Sequence, residues 1–192
     1  MIILASASPR RRELLSGMGI EEFDIRPSSH EAPLRRDLPR TEAVALIASG
    51  KAEDIASGSG SDDIVIAADT LVFLDGEPLG KPRDALDAAR MLRALSGREH
   101  QVITGLAVIA GGVTYTDAVS TLVRFLPLTD EQIDWYISTG EPMDKAGAYG
   151  IQGKGGMLIQ SISGDYYNVV GLPVSRLAGL LEAAGHKVFS RG

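Results

Sequence analysis

The sequence contains no cysteine and no long apolar run. Without cysteine, disulfides, thiolate zinc ligands and a cysteine nucleophile are all excluded. No stretch approaches the roughly 18 consecutive apolar residues that suggest a membrane-spanning helix. The apolar segment Ile2–Leu4 is also too short for the hydrophobic region of a signal peptide. Together these absences favour a cytoplasmic protein that does not associate with a membrane.

Positive charge and histidine are scarce as well. Lysine and arginine total 19 against 25 acidic residues, which leaves a formal net charge of −6. Such a field is a poor match for duplex nucleic acid, whose non-specific affinity comes from neutralised phosphates. The histidines, His30, His100 and His186, do not occur in a ligand spacing such as His-x-x-x-His. We therefore expect neither a nucleic-acid partner nor a histidine-rich metal site.

What the chain does contain is a mixture of strand-like and helix-like segments. Its 192 residues suffice for one sizeable core or at most two small lobes. The predicted strands are Met1–Ala5, Phe23–Arg26, Ile64–Ala68, Leu71–Leu74, Gln101–Ala110, Val113–Phe125 and a hairpin of Met157–Ile162 with Tyr166–Val170. The predicted helices begin at Pro9, Thr41, Asp84, Thr129 and Pro173, each at a proline or a capping residue. This order predicts an α/β or α+β domain with a mixed sheet.

The first strand leads directly into a helix whose first turn carries three arginines, residues 10–12. Ser8 is the predicted N-cap, and free N–H groups at a helix N-terminus form an anion site. Arg11 also begins the apolar stripe of this helix, where an unpartnered guanidinium is rare. The alternative is a solvated basic turn, and Arg12 fits that description.

Two charged residues lie where apolar residues are expected. Asp69 follows a buried apolar strand, at the kind of edge where open α/β sheets bind ligands. It is either a metal ligand or general base, or it caps a turn through Thr70. Lys51 lies on the apolar face of the second helix, either as a functional cation or with its stem buried and its ammonium group in water.

A second group of candidates lies in loops. Lys81 is held between glycine and proline, and Glu31 lies in a polar loop. The segment Lys145–Gly156 has five glycines in twelve residues, which permits close backbone approach to a ligand. It fits neither a Walker loop nor a dinucleotide fingerprint, and a flexible surface loop is the alternative. Its Gln152 offers both a donor and an acceptor to a pyrimidine edge. Taken together, the cations Arg10, Arg11, Lys51 and Lys81 and the acids Asp69 and Glu31 suit metal-assisted phosphoryl chemistry. The cations would neutralise phosphate oxygens, and the carboxylates are hard oxygen ligands for Mg²⁺ or Mn²⁺.

Five motifs occur together and in order. They are Ser6-Ala7-Ser8-Pro9-Arg10-Arg11, Ala68-Asp69-Thr70, Gly80-Lys81-Pro82-Arg83-Asp84, residues 144–153 (DKAGAYGIQG) and Asn168-Val169-Val170-Gly171-Leu172-Pro173. In this combination the chain resembles the Maf family of nucleoside triphosphate pyrophosphatases, from residue 2 to about residue 180. The resemblance implies one α/β domain over residues 1–192, with a central mixed sheet flanked by helices. It also implies a fold similar to the inosine triphosphate pyrophosphatases, with two lobes around a cleft, and a homodimer.

The resemblance further implies hydrolysis of a nucleoside triphosphate to the monophosphate and pyrophosphate, with Mg²⁺ or Mn²⁺. Asp69 matches the proposed base and a metal ligand, and Glu31 would share the metal. The residues expected to bind substrate are Ser6, Arg10, Arg11, Lys51, Thr70, Lys81 and Gln152. Of these, Arg10, Thr70 and Gln152 match the branch that acts on dTTP and UTP rather than on 7-methyl-GTP. His30 stands where many members have a second acid beside the position of Glu31.

Two other functions remain open from the sequence. The protein could be a nucleotide-binding regulator of septum formation or cell division, a role to which members of the family have been linked. It could also be a broad house-cleaning enzyme for modified pyrimidine nucleotides, because Thr70 and Gln152 would accept several bases.

Overall fold

A mixed sheet of seven strands organises the part of the chain that the computed structural model describes, residues 1–189. The strands are β1 (Ile2–Leu4), β2 (Asp24–Ile25), β3 (Ile64–Leu74), β4 (Glu77–Leu79), β5 (Glu99–Ala110), β6 (Val113–Phe125) and β7 (Ile159–Ser163). The helices are α1 (Pro9–Gly17), α2 (Arg40–Ala56), α3 (Ala85–Leu95), α4 (Asp130–Ser138), α5 (Tyr166–Val170) and α6 (Val174–Ala183). Short 3₁₀ turns occupy Glu141–Asp144, Ala146–Ala148 and Gly153–Leu158.

The strand order is β2-β1-β3-β5-β6-β7, and β4 pairs with β3. β1 is parallel to both β2 and β3, whereas the β3–β4 and β6–β7 pairs are antiparallel. The prediction of an α/β chain with a central mixed sheet is therefore confirmed.

The chain divides into two compact units. Unit 1 contains Met1–Asp69, Thr104–Val119 and the described residues 171–189, and unit 2 contains Thr70–Ile103 and Ser120–Val170. The prediction of one domain over residues 1–192 stays a prediction.

Unit 1 buries both faces of its strands, as the continuous apolar run of β3 indicates. Alternation along the strands sends one set of side chains to each face. One set packs with helices α1 and α6, in a cluster that includes Leu4, Ile66 and Leu106 of the strands together with Leu15, Leu172 and Leu177. The other set packs with α2, in a cluster formed by Ile3, Ala5, Val65, Ala67 and Ala107 together with Ala48 and Ala52 of the helix. Gly105 belongs to the α2 side, where a Cβ would lie 2.4 Å from the carbonyl oxygen of Val44. The α2 backbone thus rests directly on β5.

Unit 2 has its own apolar core, built where α3 and α4 pack together. Its members include Val72, Leu92, Leu95, Val102, Val123, Phe125, Ile133 and Tyr136. Asp84 caps α3 by accepting from the amide of Asp87, and Thr129 forms a capping box with Gln132 at α4. Both predicted starts are therefore confirmed.

Four sequence predictions need correction. The second helix begins at Arg40 with Pro39 as its N-cap, so Thr41 is not the cap. The strand before Asp69 does not end there, because β3 runs on to Leu74 and pairs with β4. The segment Tyr166–Val170 is helix α5 rather than a strand. The glycine-rich segment Lys145–Gly156 contains the 3₁₀ turn Ala146–Ala148 and the beginning of the turn Gly153–Leu158, so it is not a simple loop.

The physical cause is clear for α5. The Asp165 carboxylate accepts from the amides of Tyr167 (2.8 Å) and Asn168 (3.3 Å), which is the bonding of a helix N-cap. This local capping outweighs the strand preference of tyrosine and valine. Across residues 1–189, none of the helices is both long and apolar enough to span a bilayer.

Candidate active site

Arg11 is fixed at the start of α1 by the turn that precedes it. Ser8 is the N-cap, as predicted, and its hydroxyl accepts from the Arg11 amide at 3.5 Å. The Arg11 guanidinium donates to the Ser6 hydroxyl at 3.1 Å and to the carbonyl oxygen of Gly171 at 2.8 Å. The side chain is thus a positioned cation, and its Ser6 contact joins two of the predicted substrate-binding residues.

The three arginines differ in their electrostatic surroundings and in their exposure. Burial lowers the pKa of Arg11, nearby Asp69 opposes that effect, and Arg10 adds to it. Because an arginine is effectively always protonated, Arg11 remains a cation close to the Asp69 carboxylate. Arg10 is half-buried, whereas Arg12 is exposed as predicted.

The central contact of unit 1 is an ion pair between Lys51 of α2 and the Asp69 carboxylate. Asp69 lies two residues beyond Ala67, so alternation along β3 directs it to the face that α2 covers. Lys51 precedes the buried Ala52 on that helix. The side chains of Lys51 and Asp69 are only 23% and 16% exposed. The ammonium of Lys51 therefore neutralises Asp69 and does not simply extend into water.

Glu31, the second predicted metal ligand, is exposed in a segment that is attached to α2. The Ser28 hydroxyl donates to Asp54 at 2.7 Å, and the His30 ring lies against Gly50, the residue before Lys51. Within residues 1–189, no three histidine or acidic side chains cluster as a metal site. The carboxylates of Asp69 and Glu31 are hard oxygen ligands of the type that Mg²⁺ accepts, so these two residues could hold such an ion together with phosphate and water.

The remaining predicted residues belong to unit 2. Thr70 and Gln152 are half-buried, and Lys81 is exposed. Lys81 lies close to the glycine-rich segment, because the amide of Gly147 donates to the carbonyl oxygen of Gly80 at 3.0 Å. A Cβ at Gly147 would also lie 3.1 Å from Val72 on β3. The segment that carries Gln152 is thus packed against β3 and the chain before Lys81.

The sequence analysis assigned no role to Asn168, whose side chain makes buried hydrogen bonds in unit 2. The Asn168 amide group is fully buried and donates to the carbonyl oxygen of Val102 (3.0 Å) and the hydroxyl of Thr121 (2.9 Å). Asn168 is the first residue of the motif 168–173, which also contains Gly171, whose carbonyl oxygen accepts from Arg11. The available signal was a polar residue ahead of an apolar Val-Val pair.

A second missed feature is the buried His100, which is 3% exposed. Its Nε2 lies 2.7 Å from the hydroxyl of Tyr149, and its ring packs edge-on against Phe125 and Tyr149. Within the described chain its Nδ1 has no hydrogen-bond partner. Burial lowers the pKa of His100 to about 4, so the ring is neutral at physiological pH.

Comparison with known proteins identifies relatives across nearly the whole chain. The family described as "Maf-like protein" matches residues 1–184. The dTTP/UTP pyrophosphatase of Symbiobacterium thermophilum is 51% identical over 100% of this chain and 97% of its own length. The dTTP/UTP pyrophosphatase of Pyrococcus furiosus is 49% identical over 97% and 96%. Among solved structures, a HAM1 protein from Coxiella burnetii is 15% identical with a TM-score of 0.44, over 65% of this chain and 72% of that chain.

Proposed function

The chain belongs to the Maf-like protein family, and we propose that it hydrolyses dTTP and UTP to the monophosphate and pyrophosphate. It is a nucleoside triphosphate pyrophosphatase, the enzyme class named in relatives that align over its whole length. The observation that supports a role for its own residues is the Lys51–Asp69 ion pair. A carboxylate with little exposure, paired with the ammonium group of Lys51 and close to Arg11, is suited to phosphoryl transfer.

In this proposal Asp69 activates the attacking water. The water oxygen attacks the α-phosphorus, the bond from that phosphorus to the bridging oxygen breaks, and pyrophosphate leaves. Asp69 accepts the proton of the water. Lys51 exchanges its contact with Asp69 for a triphosphate oxygen when substrate binds, which releases the carboxylate to act as a base.

The cationic side chains would contribute to the reaction mainly through the positions in which they are held. Arg11 is held by Ser6 and Gly171, so its charge is fixed before substrate arrives and needs no reorganisation during the reaction. Arg10 and Lys81 would neutralise further triphosphate oxygens. Phosphoryl transfer asks for little covalent chemistry from a protein, so this arrangement of charge supplies most of the rate enhancement.

We further propose that the activity requires Mg²⁺ or Mn²⁺. Asp69 and Glu31 offer the hard oxygen ligands that such ions prefer, and substrate phosphates and water complete the coordination. A bound divalent ion would polarise the phosphate and lower the pKa of its water. Lys51, Arg10 and Arg11 provide the remaining positive charge.

Pyrimidine selection is assigned to Arg10, Thr70 and Gln152, the positions that match the dTTP/UTP branch. The amide of Gln152 can donate to a base carbonyl and accept from a base N–H group. This assignment extends to modified pyrimidine nucleotides that keep the same edge.

The test is a panel of triphosphates, each assayed for pyrophosphate release with Mg²⁺, with Mn²⁺ and with a chelator. We expect fastest release from UTP and dTTP, slow release from ATP and GTP, and none with the chelator. Equal rates for purines and pyrimidines would contradict the base assignment, and full activity with the chelator would contradict the metal. Nucleotide binding without any pyrophosphate release would instead support a regulator of septum formation.

The homodimer and the cytoplasmic location stay predictions. Light scattering of the purified protein tests the first. A mass near 40.6 kDa, twice the 20.3 kDa of one chain, is the expected result, and a mass of one chain would contradict it.

A further inference from the structure

The segment that carries Gln152 is attached at both ends to two side chains that the reaction does not use. We call residues 150–155 the Gln152 loop. At its first residue, the amide of Gly150 donates to the Tyr136 hydroxyl at 3.1 Å. Tyr136 lies on α4 and is fully buried, so its position is set by the core of unit 2. The first end of the loop is therefore bound to a rigid point.

The other end of the loop is bound to Glu141. One carboxylate oxygen of Glu141 accepts from the Gly155 amide at 3.0 Å, and the other accepts from the Lys154 amide at 3.1 Å. The Tyr136 hydroxyl in turn donates to Glu141 at 2.9 Å. Tyr136 and Glu141 therefore form one connected unit that holds both ends of the loop.

Glycine allows the close contact that this arrangement requires. A Cβ at Gly155 would lie 2.2 Å from the carbonyl oxygen of Gly150 and 2.5 Å from the Tyr136 hydroxyl. A Cβ at Gly153, whose φ is +69°, would lie 3.0 Å from the Glu141 carboxylate. Such distances leave no room for a larger residue, so the loop is packed tightly against the pair.

The negative charge of Glu141 strengthens the hydrogen bonds by which it holds the Gln152 loop. Burial raises its pKa, but the amides of Gly155 and Lys154 and the Tyr136 hydroxyl lower it more, so the pKa lies below its usual value. Glu141 is therefore ionised at neutral pH and accepts three hydrogen bonds, which are stronger for a charged acceptor. Lys145 supplies a compensating positive charge nearby.

Selection by Gln152 depends on where its amide is held. Uracil presents an N–H donor beside a carbonyl acceptor, and guanine presents the same pair at N1 and O6. The amide of Gln152 therefore cannot distinguish UTP from GTP by hydrogen-bond pattern alone. Guanine is larger, so a fixed loop excludes it and a loop that can withdraw admits it.

We propose that Tyr136 and Glu141 are positioning residues that fix the Gln152 loop and thereby make the enzyme select UTP over GTP. This inference rests on the proposed function, because it assumes that Gln152 contacts the base.

The first experiment measures kcat and KM for UTP and GTP in the wild type, Tyr136→Phe and Glu141→Gln. Tyr136→Phe removes the acceptor for Gly150 and the donor to Glu141, and Glu141→Gln replaces one acceptor oxygen with a donor group. A hydrogen bond contributes about 1 kcal/mol net, so we expect the UTP/GTP ratio of kcat/KM to fall by about three- to tenfold in each. Tyr149→Phe is the matched control: its buried hydroxyl contacts His100 rather than the loop, so it should leave the ratio unchanged.

A double-mutant cycle separates positioning from general destabilisation. Gln152→Ala alone should lower the UTP/GTP ratio, and adding Tyr136→Phe should then lower it little further, because the two residues act through the same contact. If Tyr136→Phe does not fold, Glu141→Gln replaces it in the cycle. Equal loss for UTP and GTP in Tyr136→Phe, or a full additional loss in the double variant, would overturn the proposal.

The outcomes also distinguish a failure of the positioning role from a failure of the proposed function on which it rests. If Gln152→Ala changes the ratio and both loop variants leave it unchanged, the positioning role is wrong and the proposed function stands. If Gln152→Ala keeps the wild-type ratio, the base assignment fails and the positioning role fails with it.

Discussion

Asp69 is the residue on which the chemistry depends most. Its carboxylate contacts Lys51 and lies close to Arg11. These partners explain how an acid can lie within β3 directly after four buried apolar residues, because a charge with little exposure needs opposite charge beside it.

We expect Asp69→Asn to lower kcat for UTP by about 10²–10⁴-fold, the range typical of losing a positioned base. The amide cannot accept the proton of the water, but it is similar in size to the carboxylate, and its oxygen can still accept a hydrogen bond from Lys51. The thermal midpoint should therefore stay close to that of the wild type. Asp62→Asn, at an exposed acid of unit 1, is the control. Near-normal turnover in Asp69→Asn would remove Asp69 from the mechanism.

The arginine cluster supplies a second residue-scale prediction. Arg12→Ala should change kcat/KM for UTP little, because Arg12 is exposed, whereas Arg10→Ala and Arg11→Ala should lower it strongly. Arg11→Ala should also lower the free energy of unfolding by about 1–3 kcal/mol, since it leaves the Gly171 carbonyl oxygen without this donor. Steady-state kinetics and urea denaturation measure both effects. Comparable kinetic losses at all three arginines would mean that the cluster acts as a diffuse field.

The burial of His100 makes the free energy of unfolding depend on pH. Its pKa is about 4 in the folded protein against 6.5 as the ordinary value, so the unfolded state binds more protons between these values. The free energy of unfolding therefore falls as pH decreases from 6.5 to 4, by about 3 kcal/mol in total.

Urea denaturation at several pH values between 4 and 7 measures this contribution. His100→Gln cannot titrate in this range, so its stability should change less over the same interval. Parallel pH dependences in the wild type and the variant would show that His100 does not contribute.

At the scale of elements, helix α2 and strand β5 show how closely backbones meet in unit 1. A Cβ at Gly105 would lie 2.4 Å from the Val44 carbonyl oxygen and 2.6 Å from the Ala45 amide nitrogen. Both atoms belong to the helix backbone and cannot move aside alone. The position of α2, and with it Lys51, therefore depends on this glycine.

We expect Gly105→Ala to lower the free energy of unfolding by about 1–3 kcal/mol, as overpacking does. It should also lower kcat/KM by displacing Lys51. Gly179→Ala is the matched control: apart from its chain neighbours and the backbone of its own helix, no described atom lies within 4 Å of its Cβ position. In helix α6 the alanine should raise stability by about 0.5–1 kcal/mol. Equal behaviour of the two variants in thermal melts would contradict this packing.

The elements that sequence predicted well are those with local signals. Ser8 before Pro9, Asp84 and Thr129 identify helix starts. The errors arise where a local pattern is interrupted or outweighed. Polar Asp69 hides the continuation of β3, which is stabilised by its pairing with β4. The Asp165 cap outweighs the strand preference of the tyrosines in α5.

The sequence identified individual residues of the candidate site, but it did not predict the contacts between them. Lys51 and Asp69 each stand out as a charge at an apolar position, yet they lie 18 residues apart. Their pairing depends on how α2 packs on the sheet, which no local pattern contains. Tyr136 and Glu141 have no distinguishing sequence signal, because a buried tyrosine on an amphipathic helix usually indicates core packing.

At the scale of the whole molecule, relatives named dTTP/UTP pyrophosphatase align with this chain almost from end to end. Strand β3 supplies Asp69 to unit 1 and Thr70 to unit 2. The residue assigned to the reaction and a residue assigned to base selection are thus consecutive on one strand. Because Asp69 is proposed to activate water for attack on the α-phosphorus, we expect the bond between that phosphorus and the bridging oxygen to break.

Hydrolysis of UTP in ¹⁸O-labelled water identifies the phosphorus that water attacks. Attack of water on the α-phosphorus places the label in UMP and leaves the pyrophosphate unlabelled, and mass spectrometry of the two products distinguishes them. The account predicts one labelled oxygen in each UMP formed in a single turnover. Label in the pyrophosphate, or release of inorganic phosphate and UDP, would contradict it.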